Sequence, residues 1–347
     1  MLKNVLQIIL ITYNRSNQLK KTFEQIFSVS SPIKDFNITI IDNNSTDDTA
    51  KIVAEYQKKF SNLSYIKNKH NIGGNANIMK AFYLATYEYV WVLADNDHYC
   101  FDAWNQVENF IKEKADAIVI SRYERPEIDI AQLYTQATFL PGIIYKTANI
   151  DDTVMGNMSY GIAIMFPHLA LFAKLINENK DIRIITQSIV SVGNNNDEKT
   201  GKYIYTRGYK DHSLHPYLRD MNWLAGYANA IQFVQNKQTR HYIASNNRFF
   251  LTSLNSSQVF FINYHEGKTN LFNLLNIFCA LTFLQKLKFL FDWIAYFSLY
   301  RVIYVFSAYP RPKEEDPYYV KQYWLWLFWF IKIKLFAFKI KIQESCK

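Results

Sequence analysis

Strand-like and helix-like segments alternate along the first part of this chain, and no other feature of the sequence constrains the fold as much. Short apolar runs rich in β-branched and aromatic residues predict strands at 5–11, 36–41, 63–66, 89–94 and 117–121. The segments between them place apolar residues at helical spacing, as Leu19, Phe23 and Ile26 do after the first strand. This alternation predicts a doubly wound, mostly parallel sheet with helices on both faces. The turn after the first strand lacks the G-x-G-x-x-G fingerprint, which disfavours a hydride-transfer enzyme of the usual kind.

The fourth predicted strand, Tyr89 to Ala94, ends in two carboxylates separated by one residue. Ligands of open parallel sheets bind beyond the carboxyl ends of the strands. Residues i and i+2 of an extended chain point the same way, so Asp95 and Asp97 are expected to converge on one cation. Hard divalent cations such as Mg²⁺ or Mn²⁺ take carboxylate oxygens and share them with substrate phosphates. The alternative interpretation is that Asp95-Asn96-Asp97 is only a turn after a strand.

Residues that suit a ligand also follow the other predicted strands. Asp42 ends the second strand, where its carboxylate can accept a hydrogen bond from a nucleobase or a ribose, or can simply cap a turn. Gly73 and Gly74 let the backbone approach a ligand closely, and the helix N-terminus after them suits a phosphate, although an ordinary turn is the alternative. Arg15 can meet a diphosphate or lie on the solvated surface. Four consecutive strand ends of this kind favour a binding site more strongly than any one of them does.

Four segments of the sequence resemble, in residue type, order and spacing, the family 2 glycosyltransferases of GT-A fold. The segments are Ile11-Thr-Tyr-Asn-Arg15, Ile41-Asp-Asn-Asn-Ser-Thr-Asp47, Asn71-Ile-Gly-Gly-Asn75 and Leu93-Ala-Asp-Asn-Asp97. The resemblance implies a nucleotide-sugar-binding, Rossmann-like α/β fold and an inverting transfer of a sugar from a nucleotide-sugar donor to a hydroxyl group. It also implies a divalent metal, Mn²⁺ or Mg²⁺, held by a DXD element in which Asp97 binds the metal and Asp95 lies nearer the ribose.

The residues that the resemblance assigns to the donor come from all four segments. We predict that the nucleotide-sugar is bound by Thr12, Tyr13, Asn14, Arg15, Asp42, Asn71, Gly73, Gly74, Asn75, Asp95 and Asn96. The metal ligands predicted in the same way are Asp97 and Asp95.

The catalytic base is harder to assign, because the chain departs from the family pattern where the base is expected. Segment 139–145 resembles the acceptor-side strand of the family, and a helix is predicted at 167–178. In many relatives this helix opens with an acidic pair, whereas the present chain has Met165-Phe-Pro-His168. Histidine can accept a proton near neutral pH, so His168 is the first candidate, and Asp151 and Asp152 are the next. The alternative for His168 is a structural hydrogen bond at the start of the helix.

The C-terminal part of the chain has a different composition from the first half. We predict a GT-A glycosyltransferase domain at 1–193, an aromatic and basic extension packed on it at 194–270, and a mainly helical, apolar and basic region at 271–347. A metal site at His212 and His215 is disfavoured, because no further ligand pattern accompanies them. Tryptophans and lysines in the last region favour a membrane surface, and a buried helix pair or an oligomer interface is the alternative. The lysines concerned are Lys332, Lys334, Lys339 and Lys341.

Charge and cysteine content narrow the class of partner and the compartment. The net charge of +9 suits an anionic partner, and the three dispersed cysteines suit a reducing cytoplasm rather than a disulfide framework. The apolar run at 1–11 is interpreted as a strand rather than a signal peptide.

Together with the resemblance to family 2 glycosyltransferases, these features predict a glycosyltransferase on the inner face of a cell membrane. It is expected to extend a surface polysaccharide on a glycan or lipid-linked acceptor. The alternatives are a non-catalytic nucleotide- or glycan-binding protein and, on charge alone, a nucleic-acid-binding protein.

Overall fold

The computed structural model describes residues 2–121, 128–162, 165–193 and 223–246, with a few residues between 278 and 290. The elements below all belong to one compact unit, formed by residues 1–256 and 262–282; a second unit comprises 257–261 and 283–347. Most of the predicted regions 194–270 and 271–347, including His212, His215 and the four C-terminal lysines, lies outside the described residues. The domain boundaries at 193 and 270 therefore stay predictions. Within the described part of the chain, no helix is long and apolar enough to cross a membrane.

A seven-stranded sheet forms the centre of the first unit, in the order β3-β2-β1-β4-β7-β6-β8. Its strands are β1 Leu6–Thr12, β2 Ile38–Asp42, β3 Leu63–Lys67, β4 Tyr89–Ala94, β6 Ala117–Ile120, β7 Ile143–Lys146 and β8 Ile182–Ile185. The first four are mutually parallel, and β7 runs antiparallel to its neighbours β4 and β6. The two-residue strands β5, His98–Tyr99, and β9, Val190–Ser191, form a separate small sheet.

Helices cover both faces of the large sheet, as the alternation in the sequence predicts. The described helices of this unit are α1 Ser16–Ile26, α2 Thr49–Gln57, α3 Gly74–Tyr83, α4 Trp104–Lys112, α5 Ile130–Gln136, α6 Asp152–Ile162, α7 Leu169–Asn177, α8 Trp223–Ile231 and α9 Lys237–Asn246. The last two pack on other helices, α8 on α6 and α7, and α9 on α5 and α8. On one face, Leu6, Ile8 and Leu10 of β1 belong to the same buried cluster as Phe23 of α1 and Trp104 of α4. On the other face, α3 packs on β1 and β4 and also contacts α6. Because both faces are buried, the central strands are mostly apolar, and the polar residues of β1 and β2 are Gln7, Thr12, Thr39 and Asp42.

The register of the parallel strands brings their carboxyl ends together at one edge of the sheet. Thr12 at the end of β1 lies beside Asp42 at the end of β2, and Ile11 lies beside Ala94 at the end of β4. The loops after these strands therefore meet above one edge, which is the position expected for a ligand in an open α/β sheet. Segment 182–192 contributes to both sheets: β8 belongs to the large sheet, whereas β9 pairs with β5 in the loop after β4.

Candidate active site

Asp95 is held by several hydrogen bonds at this edge of the sheet. It is buried, and its Oδ2 accepts a hydrogen bond of 2.7 Å from the Thr12 hydroxyl. Its Oδ1 pairs with Nη1 of Arg15 at 2.9 Å, and the same nitrogen donates to Oδ1 of Asn96 at 3.1 Å. The backbone carbonyl of Asp95 accepts a hydrogen bond of 2.9 Å from the Thr22 hydroxyl in α1. Three side chains from β1 and the start of α1 thus fix both the carboxylate and the backbone of Asp95.

Asp42 is turned away from the open side of the sheet. It has no exposed surface, and its Oδ1 accepts hydrogen bonds from the backbone N–H and the hydroxyl of Ser45, at 2.8 and 2.6 Å. Its Oδ2 accepts a bond of 2.6 Å from the Tyr65 hydroxyl on β3. Burial, followed by the hydrogen bond to the Asp42 carboxylate and its charge, raises the pKa of Tyr65. In this structure Asp42 stabilises the turn after β2 through these hydrogen bonds, and its predicted contact with a nucleoside stays a prediction.

We expect Asp42→Ala to lower the free energy of unfolding by about 2–3 kcal/mol, because three donors lose their buried acceptor. Urea denaturation measures this loss. Tyr65→Phe removes one of the three bonds and should cost about 1 kcal/mol. If Asp42→Ala leaves the unfolding free energy unchanged while calorimetry shows weaker nucleotide binding, the carboxylate is a ligand group instead of a turn residue.

A group of asparagines joins the ends of β2 and β3 to the loop before α3. Asn43 accepts hydrogen bonds from Nδ2 of Asn68 and the backbone N–H of Ile72, both at 3.0 Å, and it donates to Oδ1 of Asn71 at 2.7 Å. Asn68 also donates to Oδ1 of Asn77 at 2.9 Å. The Nδ2 group of Asn71 is buried and has no hydrogen-bond partner among the described residues. This group is therefore available to a ligand, since an unsatisfied buried donor is costly.

The glycine loop leads directly into α3, as the sequence indicates. Gly73 has φ +84° and ψ 154°, a conformation that side-chain-bearing residues rarely adopt, and its N–H donates to Oδ1 of Asn71 at 2.9 Å. Gly74 and Asn75 form the first turn of the helix. Nδ2 of Asn75 donates to the carbonyl of Ile162 at 3.0 Å, which ties the start of α3 to the end of α6.

A cavity of about 250 Å³ lies above these groups. Part of the lining is polar and comes from the strand ends and the glycine loop, and another part comes from Thr138, Leu140, Met165, Phe166 and His168. The lining consists of Ile11, Thr12, Tyr13, Arg15, Asn43, Asn71, Gly74, Asn75, Asn77, Ile78, Ala94, Asp95, Thr138, Leu140, Met165, Phe166 and His168. The predicted donor residues that line it are Thr12, Tyr13, Arg15, Asn71, Gly74, Asn75 and Asp95.

Other predicted residues stand behind the cavity wall instead of lining it. Asn14 has φ +49°, and its Oδ1 accepts a hydrogen bond of 2.8 Å from the backbone of Thr46, so it links the turns after β1 and β2. Asn96 and Gly73 hold Arg15 and Asn71 respectively. These residues support the lining through hydrogen bonds, and their direct contact with a donor stays a prediction.

The chain turns immediately after β4, which differs from the extended geometry assumed for Asp95 and Asp97. Asp95 and Asn96 form a turn, so the two carboxylates are not placed on one side by strand geometry. Asp97 is buried, does not line the cavity, and accepts a hydrogen bond of 3.2 Å at Oδ1 from the N–H of Gly193. Gly193 packs so closely that a Cβ there would meet the carbonyl oxygen of Asn96 at 1.5 Å. Segment 190–193 thus lies directly over the DXD element.

His168 lines the same cavity as the residues at the strand ends. Its Nε2 lies 3.0 Å from the carbonyl oxygen of Ala137, which can only accept, so Nε2 carries the proton of the neutral ring. Its Nδ1 is buried and has no hydrogen-bond partner among the described residues. Burial lowers the pKa of His168 to about 4, against the opposing effect of the Ala137 and Thr138 carbonyls. The side chain is thus a neutral acceptor that borders the same cavity as Asp95.

Asp151 and Asp152, the other candidates for the base, lie at the far end of α6. Asp151 is exposed; it accepts a hydrogen bond of 2.9 Å from the N–H of Val154 and pairs with Lys174 at 2.5 Å. These contacts lower its pKa, the Lys174 hydrogen bond first and the Val154 N–H next. The helix ends at Ile162 beside Asn75, and its 11 residues place Asp152 about 15 Å from that end. Neither carboxylate lines the cavity.

No group of three histidine, cysteine, aspartate or glutamate side chains with metal-binding geometry occurs among the residues that the structure describes. Asp95 and Asp97 nevertheless offer the carboxylate oxygens that Mg²⁺ or Mn²⁺ prefers, and such ions commonly bind through one or two carboxylates plus substrate phosphates. The donor chemistry of the DXD element therefore fits a divalent metal that shares its coordination with a substrate.

Comparison with known proteins gives one family and several partial relatives. Residues 7–179 match the family model described as Glycosyl transferase family 2. The chain is 29% identical over 109 residues to the uncharacterized glycosyltransferase MG025 of Mycoplasma genitalium, covering 31% of this chain and 37% of that protein. It is 24% identical over 177 residues to the poly(ribitol-phosphate) beta-glucosyltransferase of Bacillus spizizenii, covering 50% of this chain and 26% of that protein.

Both alignments thus span well under half the length of the curated relatives. Among solved structures, S. aureus TarS in complex with UDP-GlcNAc aligns with a TM-score of 0.45 and 18% identity, covering 80% of this chain and 79% of that chain.

Proposed function

This chain belongs to glycosyl transferase family 2, and from that premise we propose that it is an inverting, metal-dependent glycosyltransferase. It transfers a sugar from a nucleotide-sugar donor to a hydroxyl group of a glycan or lipid-linked glycan. The observation that carries the proposal is the cavity above the strand ends, which is lined both by the donor-type residues that follow β1 and β4 or belong to the glycine loop and by His168.

The polar wall of the cavity has the chemistry that a nucleotide-sugar requires. The guanidinium of Arg15 and the N-terminus of α3 at Gly74 suit the diphosphate. The unpartnered amide of Asn71 can donate to a carbonyl or hydroxyl oxygen of the nucleoside. Thr12 and Asn43 hold this wall in place through their hydrogen bonds to Asp95 and Asn71.

A divalent metal is the cofactor that this donor requires, and Asp97 and Asp95 are the residues that would hold it. When bound, the metal supplies positive charge that stabilises the departing nucleoside diphosphate. The protein contributes the fixed position of Asp95 and the closely packed turn at Asn96 and Gly193. It also contributes His168, whose Nδ1 lone pair accepts the proton of the acceptor hydroxyl.

The acceptor class follows from weaker observations. A relative is named for poly(ribitol-phosphate), whose phosphate groups are anionic, and the net charge of +9 suits an anionic acceptor or an anionic surface. We therefore place the protein in surface-polysaccharide synthesis, of capsule or lipopolysaccharide type, at the inner face of the cell membrane. The apolar and basic region 271–347 is the proposed point of peripheral attachment, or otherwise of self-association.

If region 271–347 attaches the protein to a membrane surface, deleting residues 318–347 should move the protein from liposomes into solution. Lys332, Lys334, Lys339 and Lys341 changed together to glutamate should act in the same direction, because lysines favour anionic headgroups. Flotation with anionic and with neutral vesicles measures both effects. Equal binding to the two kinds of vesicle contradicts the electrostatic contribution, and no binding to either favours self-association.

The experiment that tests the proposed function is a thermal-shift screen of nucleotide-sugars with Mn²⁺ or Mg²⁺, followed by assay of nucleoside diphosphate release. A donor that binds the folded state raises the melting temperature. A shift together with metal-dependent release supports the transferase. A shift without release, with any acceptor tried, supports a non-catalytic nucleotide- or glycan-binding protein, which the buried, weakly basic His168 also favours. Absence of any shift across the nucleotide-sugars contradicts both.

A further inference from the structure

We propose that Arg15 occupies the cation position of Asp95 in the donor-free protein, so that a divalent metal binds only together with a nucleoside diphosphate. This inference rests on the proposed function, because it concerns the order in which the metal and the donor enter that site. It assigns to Arg15 a second task besides contact with the donor, namely control of access to the DXD element.

The contacts of Asp95 oppose the binding of a further cation as long as Arg15 is in place. The carboxylate is 3% exposed, and Arg15 lies against one of its oxygens while the Thr12 hydroxyl lies against the other. Mg²⁺ and Mn²⁺ require short, direct bonds to oxygen and give up their hydration water reluctantly. A metal that reached Asp95 in this state would meet a guanidinium 2.9 Å from the oxygen it needs. Like charges at such a distance repel strongly in a buried site.

Asp97 by itself cannot bind the metal while Asp95 is paired with Arg15. It does not line the cavity, and its Oδ1 already accepts the N–H of Gly193. One buried carboxylate also falls short of the oxygen ligands that a divalent cation needs, unless a substrate supplies phosphate oxygens.

A nucleoside diphosphate changes this balance because it offers Arg15 a better partner. Arginine binds phosphate groups with two parallel hydrogen bonds, and its side chain here is 19% exposed and borders the cavity. When the guanidinium moves to the diphosphate, Oδ1 of Asp95 is released to the metal. The diphosphate then supplies further oxygen ligands to the same metal. The metal and the nucleotide therefore bind with positive cooperativity, and each raises the affinity of the other by the same factor.

The test is direct titration of the full chain with Mn²⁺, followed by calorimetry or by the electron paramagnetic resonance of free Mn²⁺, with and without nucleoside diphosphates. The wild-type chain should bind Mn²⁺ weakly alone and at least about tenfold more tightly with the preferred diphosphate. Arg15→Gln should bind Mn²⁺ alone about 10- to 100-fold more tightly than the wild type, since a charged hydrogen bond no longer competes. The same variant should bind the diphosphate more weakly.

Two further variants separate this effect from a general change of charge or fold. Lys20→Gln removes one positive charge from the exposed side of α1 and should leave Mn²⁺ binding as in the wild type. Arg15→Lys keeps a cation beside Asp95 and should keep metal affinity low. Equal Mn²⁺ affinity of wild type and Arg15→Gln, or equal wild-type affinity with and without diphosphate, overturns the inference. If no diphosphate promotes metal binding but nucleotide-sugars still raise the melting temperature, the inference fails while the proposed donor class survives.

Discussion

Asp97→Asn is expected to lower the rate of sugar transfer by about 10³-fold or more, while the protein remains folded. A metal at a departing diphosphate stabilises the transition state by several kcal/mol, and each 1.4 kcal/mol corresponds to a factor of ten in rate. Asparagine has nearly the same shape and keeps an oxygen that can accept the N–H of Gly193, so the turn after β4 is preserved. Transfer assayed with a labelled donor measures the loss, and the melting temperature checks the fold.

The matched control for this substitution is Asp116→Asn. Asp116 also accepts two hydrogen bonds, from Nδ2 of Asn149 and the N–H of Asp181, both at 3.1 Å. It precedes β6, which runs parallel to β4, so it lies at the edge of the sheet opposite the cavity. We expect a modest loss of stability and normal turnover. Full activity of Asp97→Asn, or of the wild type in excess chelator, is incompatible with the proposed role of the metal.

The fold was predictable because its signals are local and repeated. Each central strand is buried on both faces, so its sequence is mostly apolar, and α1 has Leu19, Phe23 and Ile26 buried on one stripe. The mostly parallel sheet with helices on both faces is confirmed, as is membership of the family. The antiparallel β7 and the split of segment 182–192 were not predictable in this way, because strand direction and pairing depend on distant partners.

For the candidate site, the sequence predicted which loops meet but not how their side chains are oriented. Sequence reasoning placed the four loops together, but the orientation of each side chain depends on contacts between them. Asp42 is held away from the cavity by Ser45 and Tyr65, 3 and 23 residues away. The network around Asn43, Asn68 and Asn77 was missed, because asparagine is common in ordinary turns and the partners of these side chains lie far along the chain. Met165 and Phe166, both with positive φ, carried no recognisable signal at all.

The pKa of His168 also could not be read from its place in the sequence. The ordinary value of histidine suggests a base that titrates near pH 6.5, whereas burial places the pKa at about 4. A group with such a low pKa is neutral throughout the physiological range, and it is a weaker base than free imidazole. The charge of a bound diphosphate should raise this pKa, because a nearby anion favours the imidazolium form. The donor complex is therefore the state in which His168 accepts a proton best.

His168 has a consequence for stability that does not depend on catalysis. Its pKa is depressed in the folded state, so the unfolded chain binds the proton more readily between pH 6.5 and about 4. Stability from this residue is fully present above pH 6.5, falls as the pH drops, and levels off below pH 4. The total change is at most about 3 kcal/mol, at 1.36 kcal/mol for each unit of pKa. In His168→Gln this contribution should be absent, which urea denaturation at a series of pH values can measure.

His168→Gln should lower turnover by about 10²–10⁴-fold with little change in donor affinity, because a positioned base contributes a factor of that size. Glutamine is the matched variant, since its amide can still donate to the Ala137 carbonyl that now binds Nε2, while it offers no basic nitrogen. His168→Ala should lose both the base and this hydrogen bond, and should therefore also be less stable. Equal turnover of the glutamine variant and the wild type would mean that His168 has only a structural role at the start of the helix.

The pH profile of the wild-type enzyme decides the same question without a substitution. Neutral His168 is the active form, so activity is lost as the pH falls through its pKa. The profile of kcat/KM reports the free enzyme, so its acid limb should lie near pH 4. The profile of kcat reports the donor complex, so its acid limb should lie at higher pH, because the diphosphate raises the pKa. An acid limb near pH 6.5 in kcat/KM, kept in His168→Gln, would mean that a more exposed group is the base.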